Sequence, residues 1–112
     1  MKRTDFAGAL YRYFRDYLVN DRGCSARTIE TYRYAFIQFI DYMENHLNIR
    51  PEKIELTHIN VQNLQSFLLW LEREKKVSTS TRNQRLAAFK SFSSFLKYDL
   101  PECLDNVIQI QN

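Results

Sequence analysis

The sequence predicts an all-α fold of four helices plus a short C-terminal helix, and three observations carry that prediction. Apolar residues recur three or four apart over four long segments, the spacing that gathers one face of an α-helix. Gly and Pro number only two each in 112 residues, too few for the frequent tight turns of a sandwich or barrel. The 45% hydrophobic and 14% aromatic content is enough to bury a core, and the length fits one domain spanning residues 1–112.

The first helix is expected over residues 6–19, where Phe6, Leu10, Phe14, Tyr17 and Leu18 share a stripe and Asp5 stands before it as a cap. Asn20, Asp21, Arg22 and Gly23 break the pattern, and Ser25 can then accept from the free N–H groups of a second helix. That helix is expected over residues 26–45, with Ile29, Tyr32, Phe36, Ile40 and Met43 inward. Residues 48–58 contain Pro51 and mixed charge without period, which predicts a connection holding one short turn. Asn60 caps a third helix over residues 61–75, whose core stripe is Val61, Leu64, Phe67, Leu68 and Leu71. Ser78, Thr79 and Ser80 each offer a cap to a fourth helix reaching Tyr98, with Ala88, Phe89, Phe92, Phe95 and Leu96 on its core side. Pro101 stops it, because the residue before a proline is pushed out of the α region. Residues 102–108 are expected to form the short fifth helix, and the polar tail after it reads as the start of a linker. No internal repeat or low-complexity segment is evident.

Charge is unevenly placed. The net charge is +3, yet residues 76–97 hold Lys76, Arg82, Arg85, Lys90 and Lys97 and no acidic residue, so the remainder of the chain is net negative. On the fourth helix Thr79, Asn83, Lys90 and Lys97 face away from the core stripe, flanked by Arg82 and Ser93. An idle helix surface usually interleaves both signs, since opposite charges four apart stabilise it; this face forgoes that and suits phosphate. On the second helix Arg27, Thr31, Tyr34 and Gln38 lie opposite the core stripe, side chains able to contact phosphates and base edges. Such a stripe is equally what a solvated face looks like. Arg85 points to the core side of its helix, where satisfying a carboxylate or a helix carbonyl end competes with DNA contact.

Other chemistries lack their parts. Cys24 and Cys103 are distant and form no CxxC, and His46 and His58 have no further ligand at metal spacing. A Gly-rich phosphate loop and a GxSxG elbow are missing, and none of the seven tyrosines has a base and cationic cluster around it. The expectation is no catalytic residue, no metal, no cofactor and no small-molecule substrate. No apolar run reaches the ~20 residues of a membrane span and no secretory signal opens the chain, which predicts a cytoplasmic protein away from membranes.

Residues 78–92, STSTRNQRLAAFKSF, resemble the N-terminal SAM-like, or core-binding, domain of the tyrosine recombinase (phage integrase) family. Ser25-Ala26-Arg27-Thr28-Ile29-Glu30-Thr31-Tyr32-Arg33 looks like that family's second helix, and Phe67-Leu68-Leu69-Trp70-Leu71-Glu72 like its third. The resemblance implies a compact orthogonal bundle that lays its second and fourth helices toward the major groove of double-stranded DNA. It implies contacts from Arg27, Thr28 and Thr31 on the second helix and from Ser80, Arg82, Asn83 and Arg85 on the fourth; Lys90 is added from its helix face. The chain departs from the family at Tyr34 and Ala35, where longer polar groups would reach DNA. It also implies that the catalytic arginines, histidines and tyrosine belong to a second domain not contained in this chain.

The expected function is therefore duplex DNA binding as the N-terminal module of a site-specific recombinase or integrase, with full-length protomers meeting in a synaptic complex and the isolated chain a monomer. Two alternatives stay open. One is a helical protein-interaction module, which predicts an exposed apolar patch; the other is a free-standing DNA-binding accessory factor.

Overall fold

The computed structural model describes residues 5–100 and Ile110. Among them all regular structure is helical, as expected: α1 (Asp5–Arg12), a π-helical continuation (Tyr13–Asp21), α2 (Ala26–Leu47), two short 3-10 turns (Pro51–Lys53 and Leu56–His58), α3 (Val61–Arg73) and α4 (Thr79–Asp99). None of these helices is long and apolar enough to cross a membrane. The expected fifth helix over residues 102–108 lies outside the described residues. The chain divides at Leu56 into two compact units, each built around a helical hairpin.

In the first unit Asp5 is the first residue of α1 rather than a cap before it, and its Oδ1 accepts the Leu56 N–H at 2.9 Å. The carboxylate thus ties the start of the unit to its end. Beyond Arg12 the backbone widens into i→i+5 rings, which bring Tyr13, Tyr17 and Leu18 to one side. All three are buried, whereas the expected core residues Leu10 and Phe14 are half-buried. A strict 3.6-residue period does not anticipate that rotation. Tyr13 and Phe14 both meet Phe36 edge-on, at 6.1 and 5.9 Å between ring centroids.

Ser25 caps α2 as expected, its Oγ accepting the Thr28 N–H at 3.1 Å. The helix runs to Leu47, past the expected end, and stops where Asn48 takes a left-handed conformation (φ 55°) and its N–H returns to the Met43 carbonyl. Its buried face is Ala35, Phe36, Phe39, Tyr42 and Met43, with Ile29, Tyr32 and Ile40 only half-buried. The core stripe is therefore turned toward Phe39 and Tyr42, and apolarity alone misplaced it because Tyr32 and Ile40 are as apolar as what they flank.

In the second unit Asn60 Oδ1 accepts the Asn63 N–H at 2.8 Å and opens α3, and Leu64, Phe67, Leu68 and Leu71 are buried as expected while Val61 is half-buried. Of the three possible caps for α4 the structure uses Ser78, which accepts the Thr81 N–H at 3.1 Å. All five core residues expected on α4 are buried, and Phe89 meets Phe67 of α3 edge-on at 5.9 Å. Ser93, expected beside the basic face, is instead buried, its hydroxyl donating to the Phe89 carbonyl at 2.9 Å. A small side chain that satisfies itself on its own helix is free to sit inside.

The two units repeat one local plan, contrary to the expectation of no repeat. Gly23 (φ 58°) and Lys76 (φ 52°) both turn left-handed after the first helix of their unit. The next N–H returns to a buried leucine in each, Cys24 to Leu18 at 2.9 Å and Val77 to Leu71 at 3.2 Å. Ser25 and Ser78 then cap, with Thr28 and Thr81 as their partners, and Ala35-Phe36 and Ala88-Phe89 fill the core at the same spacing. The intervening residues differ so much that the sequence pattern alone hides the correspondence.

Candidate nucleic-acid interface

The expected contact residues fall on two helix starts built alike. In each, the serine hydroxyl accepts a backbone N–H and also donates to a threonine Oγ1, Ser25 to Thr28 and Ser78 to Thr81, both at 3.1 Å. Each threonine oxygen is thus an acceptor and keeps its own proton. Arg27 and Ser80 occupy the matching position two residues after the cap, and both are exposed.

On α2, Arg27 has no ion pair among the described residues. Glu30, the surface partner that would have neutralised it, turns instead to Arg33 at 3.5 Å. Thr31 is half-buried and its hydroxyl donates to the Arg27 carbonyl at 3.0 Å, so donating to a phosphate means breaking that bond, while its oxygen can still accept. Tyr34 is half exposed and Gln38 flanks the core. The exposed side of α2 carries Glu30, Asp41 and Glu44 beside Arg27 and Arg33, a mixture of signs.

On α4, Ser80, Asn83 and Lys90 are exposed and Arg82 is partly exposed, with no acidic residue in the helix before Asp99. Arg82 and Lys90 edge one groove of about 300 Å³, with Leu86 between them and Leu64, Gln65 and Leu68 of α3 opposite. The face is not free of carboxylates in space, however. Glu72 of α3 reaches across and places Oε1 2.7 Å from Arg82 Nε, and Arg82 Nη1 lies 3.4 Å from Asn83 Oδ1. Helical periodicity shows which residues share one helix face; only the hairpin's register shows that Glu72 meets Arg82. Arg85 is 8% exposed, on the core side as expected. That burial removes its guanidinium from the surface shared by Arg82 and Lys90.

The first unit contains a feature the sequence did not mark. An open groove of about 540 Å³ runs between α1 with its π-helical continuation and α2, lined by Phe6, Leu10, Tyr11, Phe14 and Ile40 and edged by Arg15 and Arg33. Arg15 stacks over Tyr11 at 4.9 Å and Arg33 over Phe14 at 5.8 Å. Arg15 also grips Asp16 with two hydrogen bonds of 2.9 and 2.8 Å, which holds the Asp16 carboxyl below its ordinary range and pushes the guanidinium upward.

Residues 12–99 match the phage integrase, N-terminal SAM-like domain family, a stretch that runs through both units. The protein y4rC of Sinorhizobium fredii, which carries an integrase/recombinase name, is 31% identical over 101 residues, covering 90% of this chain and 30% of that protein. Tyrosine recombinase XerC of Herpetosiphon aurantiacus is 33% identical over 84 residues (75% of this chain, 26% of that one). Tyrosine recombinase XerC of a Roseiflexus species is 36% identical over 83 residues (74% and 25%). The chain spans less than a third of the length of these relatives. No solved structure gives a significant match. Helix order, capped helix starts and sequence relationship agree, and the chain belongs to the SAM-like N-terminal domain family of tyrosine recombinases and phage integrases.

Proposed function

We propose that this chain binds duplex DNA as the single core-binding module of a site-specific recombinase or integrase acting in the cytoplasm. The observation that carries the reading is the exposed face of α4, where Ser80, Arg82, Asn83 and Lys90 present donors along a helix without an acidic residue before Asp99. Cations on such a face exchange condensed counterions for phosphates. Arg27, with Thr28 behind it, offers the second contact at the matching start of α2. Arg85 we assign to holding the fold.

Strand cleavage would belong to a second domain carrying the arginines, histidines and tyrosine nucleophile, and protomers joined that way would meet in a synaptic complex. The chain by itself would then be a monomer that binds DNA and leaves it intact. Fluorescence anisotropy with a labelled duplex of about three helical turns tests this: affinity must fall steeply between low and physiological salt, and an affinity independent of salt sinks the electrostatic reading. Relaxation of supercoiled plasmid by the pure chain would contradict the division of labour.

One observation favours a second reading, a protein-docking role: the apolar groove of the first unit. Leu10→Glu there should leave DNA affinity unchanged and abolish association with partner protein if docking is that unit's task. The accessory-factor reading shares the DNA contacts, so the same anisotropy titration supports both.

A further inference from the structure

We infer that Glu72 is a positioning residue for DNA, holding the Arg82 guanidinium in the orientation that receives a phosphate; the inference rests on the DNA-binding reading above. Glu72 and Arg82 lie on different helices, α3 and α4, and meet at 2.7 Å through Oε1 and Nε. Both side chains are partly exposed, at 42% and 34%, so neither charge is locked in the core. An exposed pair of this kind contributes little to folding, and its consequence is geometric.

A guanidinium is a rigid planar fork with five N–H donors. Glu72 takes the Nε–H, the donor nearest the chain, and thereby fixes the plane. Asn83 Oδ1 stands beside Nη1 at 3.4 Å, and the terminal edge of Nη1 and Nη2 is the part suited to bidentate phosphate recognition. Lys90 lies on the same groove and carries a point charge needing no such alignment. Without Glu72, Arg82 recovers its rotamer freedom and loses it again on binding DNA.

This assignment makes a prediction of unusual sign. Glu72 is negative, so elementary electrostatics says that deleting it beside a cationic surface tightens DNA binding. Positioning says the reverse: Glu72→Ala weakens binding roughly threefold to tenfold, the range that ordering one long side chain commands. Glu72→Gln keeps an acceptor for Nε–H and recovers most of that loss. In an Arg82→Ala background nothing remains to position, so Glu72→Ala there tightens binding by removing a repulsive charge.

The test is anisotropy of a labelled duplex against the 112-residue chain and these variants at two salt concentrations, with thermal melting by circular dichroism verifying that each variant is folded. Weakening by Glu72→Ala, rescue by Gln and reversal of sign without Arg82 together establish the role. Binding by Glu72→Ala as tight as or tighter than the unaltered chain, or a Gln variant no better than Ala, overturns it while leaving DNA binding standing. No binding by the unaltered chain at low salt overturns both.

Discussion

Replacing Lys90 by alanine tests the proposed interface most directly, because Lys90 is exposed, lies on the helix that lacks an acidic residue before Asp99, and is not part of the buried core. Each phosphate contact on duplex DNA contributes a slope of about −0.9 in log affinity against log salt. Raising salt fourfold, from about 50 to 200 mM, therefore weakens binding roughly 3.5-fold per contact. If Arg27, Arg82 and Lys90 each neutralise one phosphate, the unaltered chain loses roughly 40-fold over that interval and Lys90→Ala roughly 12-fold. The loss must be similar on unrelated duplex sequences, since a lysine on the backbone carries no base information. Anisotropy titrations on two unrelated duplexes at five salt concentrations give the slopes. A slope unchanged by Lys90→Ala, or an effect confined to one sequence, refutes phosphate contact by this face.

Arg27→Ala, at the exposed start of α2, should cost on the order of 1–3 kcal/mol on a cognate site and relax preference at one base pair; a binding-site selection that returns the same consensus for both proteins sinks this placement. Ser78→Ala removes the hydroxyl that caps α4 and should lower stability by about 1 kcal/mol, read as a lower melting temperature, with Ser25→Ala behaving alike because its geometry is the same. Gly23→Ala should also destabilise by about 1 kcal/mol, since Gly23 sits at φ 58° with open space around it and the penalty is in the backbone alone; an unchanged melting temperature would contradict that turn. Asp16→Asn should lower the melting temperature near neutral pH and lose its effect in acid. The Asp16 carboxyl is held below its ordinary range by Arg15, so its stabilisation is present above the unfolded-state value of about 4 and fades as pH falls through the folded value.

What the sequence determined by itself follows from short-range physics. Capping and helical period act over three to five residues, so Ser25 and Asn60 were readable as helix starts, and the five aromatic and aliphatic core residues of α4 as its inner face. The concentration of positive charge over residues 76–97 was equally visible, because it needs only counting. The tertiary structure decided whatever depends on groups far apart in the chain or on how tightly a helix is wound. Widening to π rings rotated Tyr13 inward at the expense of Phe14. The carboxylate of Asp5 went to Leu56, at the far end of its unit, and Ser93 left the polar face for the core. Most consequential for function, Glu72 came to lie against Arg82. That ion pair depends on the relative register of two helices joined by a turn, which neither helix encodes alone; it is set by the seating of Phe67 against Phe89, because close-packed rings leave few alternative registers.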